Sequence, residues 1–163
     1  MVEKSTLSSQ WKLFICIIIC QSVGIISGLI AATNNNSWFA SLQKPSWNPP
    51  GYLFGPVWTI LYLLMSISLW IVWKSNTDEK LKEQAALIFA MQLFLNFWWS
   101  VLFFKFQSPL FAFIDIVFMT ILILISILKF SKLSKLAAWL LVPYISWVCF
   151  AVVLNYKIMI LNN

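Results

Sequence analysis

Three sets of side chains at helical spacing could do chemistry in this chain. Gln92, Asn96, Trp99 and Phe103 follow i, i+4, i+7, i+11 spacing and share one helix face. Tyr144, Trp147, Ala151 and either Leu154 or Asn155 repeat the pattern, and Phe54, Trp58, Tyr62 and Met65 form a third set. All three lie inside long apolar runs, where an amide is costly unless it meets a partner, so Gln92, Asn96 and Asn155 must point inward. One reading makes them interhelical glue worth about 0.6–2 kcal/mol each. The other makes them part of a cavity otherwise walled by indole and phenol rings. The residues alone leave both open.

Other chemistries have no means here. The chain has no histidine, which removes histidine bases, His-containing zinc sites and His-ligated haem. No phosphate-cradling glycine loop or nucleophile elbow occurs, and no cofactor is expected. Cys16 and Cys20 share a helix face but lack histidine or carboxylate neighbours, so they read as apolar packing rather than a metal site. Of five acids, Glu3, Asp78, Glu79 and Glu83 fall in aqueous segments, so no carboxylate pair can form an active site. Asp115 alone lies within an apolar run, where insertion costs about 2.5–3.5 kcal/mol. It is expected to lock helices through a hydroxyl or amide neighbour, with a functional carboxylate as the alternative.

The elements that hold these groups follow from composition. With 61% hydrophobic and 10% charged residues and a mean hydropathy of +0.87, the 163-residue chain reads as one all-α membrane domain. Five segments are near the ~20 residues that cross a bilayer: 11–32, 54–73, 85–104, 110–128 and 136–158. The first is too long for a secretory signal and is expected to be retained. Short links predict a compact five-transmembrane-helix bundle of sequential antiparallel neighbours. The exception is the loop 33–53, stiffened by Pro45, Pro49 and Pro50, which reads as a lid over a cavity or as an interfacial anchor.

Orientation follows from the eleven lysines. Lys4, Lys12, Lys74, Lys80, Lys82, Lys129, Lys132 and Lys135 fall on one side, against Lys44, Lys105 and Lys157 on the other. The positive-inside rule places the N-terminus in the cytoplasm, and the proline loop and C-terminus outside. The net charge of +6 is thereby explained without a nucleic-acid partner. Gly24 and Gly28 form a GxxxG motif suited to close packing, either within the bundle or in a homodimer. Trp11, Trp38, Trp73 and Trp139 sit where interfacial anchors are expected.

The block PSWNPPGYLFGPVW at Pro45–Trp58, followed by Tyr62, Met65 and Trp70, closely resembles the translocator protein family, also called tryptophan-rich sensory proteins or peripheral-type benzodiazepine receptors. The resemblance continues through QLFLNFWWS at Gln92–Ser100, Asp115, PYISW at Pro143–Trp147 and AVVLNY at Ala151–Tyr156. It implies a five-helix bundle, usually dimeric, with a ligand cavity closed by the first loop. It implies porphyrins, sterols and synthetic benzodiazepine-type compounds as ligands, bound here by Trp47, Trp58, Tyr62, Asn96, Trp99, Trp147, Ala151 and Leu154. It also implies that Trp58 and Trp147 could support a light- and oxygen-dependent breakdown of protoporphyrin IX. The family's C-terminal sterol segment wants a spacer before its basic residue, whereas Lys157 directly follows Tyr156, so a bacterial cell membrane and a porphyrin-like ligand fit better. The expected function is ligand binding in sensing or transport. The alternatives are a porphyrin-degrading enzyme and a structural or regulatory subunit without a ligand.

Overall fold

The structure is a computed structural model that describes residues 8–34 and 38–162. Glu3, Lys4 and the loop positions 35–37 lie outside the described residues. The described chain is all helix: α1 (Ser9–Asn34), α2 (Trp38–Ser41), α3 (Gly51–Lys74), α4 (Glu79–Ser100), a π-helical turn at Val101–Lys105, α5 (Pro109–Leu133), α6 (Lys135–Leu140) and α7 (Val142–Leu161). Five spans are long and apolar enough to cross a membrane: Ser9–Thr33, Gly51–Lys74, Glu79–Lys105, Pro109–Leu133 and Lys135–Leu161. This is an all-α, five-transmembrane-helix bundle.

Each span overruns its apolar window, because hydropathy marks the depth of hydrocarbon and not the end of backbone hydrogen bonding. The third shows this best. Asp78 caps α4 by accepting from Lys80 N at 2.9 Å, so the helix begins among charged residues, six positions before Ala85. The fifth span is two pieces, since Pro143 has no N–H to offer the preceding turn and the chain bends at Leu141.

The order of helices around the bundle departs from sequence order. α1 packs on α3 and α4, α3 packs on α6, and α5 packs on α4, α6 and α7. The ring therefore runs α1, α3, α6–α7, α5, α4, and the consecutive helices α3 and α4 scarcely touch. Their link, Ser75 to Asp78, can reach about 17 Å when extended, enough to cross to a helix that is not a neighbour. Away from this gap the bundle is solid. Met65, Phe89, Leu93, Ile116, Met119, Ile123 and Phe130 form a buried core, with Phe89 and Phe130 stacked at 5.7 Å.

Candidate ligand-binding site

The gap between α3, α4 and α7 is a cavity of about 500 Å³, closed on its remaining sides by α1 and the first loop. Trp58 and Tyr62 on α3, Asn96 and Trp99 on α4, and Trp147, Ala151 and Leu154 on α7 all line it. Trp47 does not. It packs edge-on to Phe150 at 5.8 Å, one layer outside the wall that Phe150 forms. α5 contributes nothing to this cavity.

The amides act as glue and as lining together. Tyr62 donates its hydroxyl proton to Asn96 Oδ1, Asn96 Nδ2 donates to the Tyr144 hydroxyl at 3.0 Å, and that hydroxyl donates to Gln92 Oε1 at 2.7 Å. This chain of bonds joins α3, α4 and α7 with every member buried, and it fixes the Tyr62 and Asn96 side chains at the cavity wall. A second bond set does the same higher up. Trp99 Nε1 donates to Asn155 Oδ1 at 3.0 Å, while Asn155 Nδ2 donates to the Pro109 carbonyl at 2.9 Å. The rings are held by one another: Trp58 against Tyr62 at 5.6 Å, Trp147 against Phe54 at 6.0 Å, and Trp99 stacked on Phe103 at 5.2 Å.

The π turn adds a residue to one turn of helix and ends on the Phe106 N–H to Val101 carbonyl bond at 2.9 Å. Phe103 and Phe104, adjacent in sequence, thereby both reach the cavity. The loop closes onto this pair. Trp38 meets Phe103 at 5.6 Å, and Phe39 meets Phe103 and Phe104 at 6.0 and 5.7 Å. Trp38 is therefore a packing residue of the loop, unlike Trp11 and Trp139, which stand exposed as anchors do. Gln43 is tied at both backbone groups: its N–H donates to Asn162 Oδ1 and its carbonyl accepts from Asn162 Nδ2, each at 2.9 Å.

Sequence reasoning missed the loop's own contributions, Phe39, Asn48 and Pro49, because an irregular loop has no period to project them onto a face. Asn48 Oδ1 is buried there without a hydrogen-bond partner. It also missed the wall supplied by α1, where Gln21, Gly24, Ser27, Gly28 and Ala31 line the cavity. The GxxxG motif was the available signal. A Cβ on Gly24 would lie 2.5 Å from the Tyr62 ring, whereas one on Gly28 would meet nothing within 4 Å. The motif thus faces inward, one glycine admitting Tyr62 and the other leaving space. Asp115 departs from expectation, for its Oδ2 is buried with no hydroxyl or amide to receive.

Residues 16–161 match the model of the TspO/MBR family. The chain belongs to the TspO/MBR family. Among relatives, the tryptophan-rich protein TspO of Chlorobaculum tepidum is 42% identical over 150 residues, covering 92% of this chain and 95% of that one. The TspO of Archaeoglobus fulgidus is 39% identical over 153 residues, covering 93% and 97%. The human translocator protein is 37% identical over 120 residues, covering 73% and 71%. Family membership spans all five helices, including every cavity wall.

Proposed function

We propose that this TspO/MBR protein binds porphyrin-like tetrapyrroles within the bilayer, in the service of sensing or transport. The observation that carries the reading is the cavity of about 500 Å³, a size within the range of small-molecule sites, with aromatic walls and few, fixed polar groups. In this reading Trp58, Trp99 and Trp147 stack on the faces of a flat macrocycle, and Tyr62 and Asn96 orient it. Asn48 Oδ1, unpaired on the loop, offers an acceptor to a ligand N–H or O–H, and an acceptor left buried and unpaired favours a ligand that fills it. Trp47, behind Phe150, steadies the loop. The reading includes a homodimer in the membrane, built on a face other than the inward-turned Gly24–Gly28 stripe.

Titration with protoporphyrin IX, followed by tryptophan fluorescence, tests the reading. Saturable quenching is expected in the wild type, weakened about tenfold or more in affinity by Asn96→Ala combined with Trp147→Phe. Quenching that does not saturate, or that ignores both substitutions, would rule it out.

The placement of Trp58 and Trp147 on the same cavity favours one second reading, in which light-excited porphyrin takes an electron from an adjacent indole and passes it to dioxygen as superoxide. The indole radical cation recovers its electron from the macrocycle, and superoxide adds to the oxidised macrocycle, so that porphyrin and dioxygen are consumed and the indole is restored. Illumination in air should then consume bound porphyrin in the wild type. Trp58→Phe/Trp147→Phe should still bind it but leave it intact. Equal loss in both proteins removes the enzymatic reading and spares the binding one.

A further inference from the structure

A second recess lies on the opposite side of α4, away from the aromatic cavity. Met91 and Leu95 of α4, Leu102 of the π turn, and Ile114, Phe118 and Leu122 of α5 wall a groove of about 530 Å³. Met91 and Phe118 are largely exposed, which in a membrane-spanning helix means that the groove opens to lipid. Asp115 lines it. The residue is 9% exposed, and its Oδ2 is enclosed without a hydrogen-bond partner. No cation lies on the neighbouring stretches of α4, α5 or α7 to pair with it: the nearest lysines in sequence are Lys105 and Lys129. A carboxyl group in hydrocarbon without a partner costs several kcal/mol, and the fold around it does not supply one.

We propose that this groove is a binding site for a neutral lipid whose polar end is a single hydroxyl, held by Asp115. Three arguments select that occupant. A hydroxyl both donates and accepts, so it satisfies a carboxyl group in either protonation state. Asp115 lies six residues into α5, about 9 Å below the helix start, and drawing a charged headgroup to that depth costs far more than drawing in a hydroxyl. The remaining lining is aliphatic and aromatic, matching a chain or ring body. A second copy of this protein is a poorer occupant. Helices that dock in lipid do so over small residues, and the groove's lining contains no Gly, Ala, Ser or Thr.

The test uses the full chain in lipid nanodiscs with a long-chain primary alcohol that carries a mid-chain diazirine. Photolabelling should map to peptides around Met91, Leu95 and Phe118, and the matching alkane without the hydroxyl should label them about tenfold less. Asp115→Leu should bring alcohol labelling down to the alkane level. Leu95→Trp, which fills the groove and leaves the carboxyl group in place, should do the same. Trp147→Phe, on the far wall of the aromatic cavity and absent from the groove, should leave it unchanged, separating the two sites. Competition by diacylglycerol would identify the membrane's own neutral lipid as the source, and competition by free alcohol alone would identify a soluble one. Should Asp115→Leu fail to fold, Asp115→Asn keeps a hydrogen-bonding group and should keep the label, with Leu95→Trp deciding the case. Equal labelling by alcohol and alkane, or labelling that survives both Asp115→Leu and Leu95→Trp, overturns the proposal. So does a change in oligomer size in Asp115→Leu with labelling untouched, which would assign the face to a second copy.

Discussion

At the scale of single residues, the two glycines of α1 make a sharp contrast. Gly24→Ala puts a methyl group against the Tyr62 ring, which cannot retreat without breaking its bond to Asn96. A loss of about 1–3 kcal/mol is expected, read as a lower thermal midpoint in detergent. Gly28→Ala meets open space and should leave the midpoint unchanged or slightly raised, since alanine favours helix by up to about 1 kcal/mol. Equal destabilisation by both would sink the packing account of the motif. The sequence exposed the cavity residues of α3, α4 and α7 because polar and aromatic side chains at a 3.6 period in an apolar run are conspicuous. Gly24 and Gly28 were conspicuous too, but a small residue does not say whether its neighbour is a ring, a void or another chain. Asp115 was visible as an anomaly, and only the packing around it revealed that its neighbours leave it unanswered.

Among the elements, the first loop is the one whose shape the sequence could suggest but not place. Three prolines announce stiffness, while its seat on Phe103 and Phe104 depends on the π turn, which no hydropathy pattern discloses. Its hold on Gln43 depends on Asn162, a residue 119 positions away. Removing that hold should loosen the loop without disturbing the cavity floor. Asn162→Ala is expected to speed release of bound protoporphyrin IX about three- to tenfold in stopped-flow displacement, with the quenched end point preserved. An unchanged release rate would show that the aromatic contacts alone keep the loop shut. Helix ends were legible only to within a few residues, since Asp78 and the lysines that follow it extend α4 beyond the apolar window.

For the molecule as a whole, the spans could be counted from composition, but their order around the ring could not. Nothing in a four-residue link says whether it joins neighbours or crosses a gap, and the gap between α3 and α4 is the cavity itself. The lysine asymmetry belongs to this scale. Lys12 lies 5.7 Å from the Trp73 ring, Lys74 lies 3.6 Å from that of Trp70, and Lys129 Nζ donates to Gln84 Oε1 at 3.0 Å, so these residues gather at one end of the bundle. That end is expected to face the cytoplasm. Reporter fusions active only outside the cytoplasm should be silent when placed after Asn76 and active when placed after Ser41. The reverse pattern would invert the orientation. One wall of the cavity has a thermodynamic corollary. Ile25 lines the cavity, yet it shares the outer face of α1 with the exposed Ile18 and Leu29. On the proposed ligand-binding reading, an oily ligand reaches this side of α1 from the surrounding acyl chains, a reservoir in which it is already concentrated. Affinity is then a competition between the cavity and the bilayer, not between the cavity and water. Adding lipid at fixed protein and ligand dilutes that reservoir, and apparent dissociation constants should rise in proportion until they are expressed as mole fractions in the membrane.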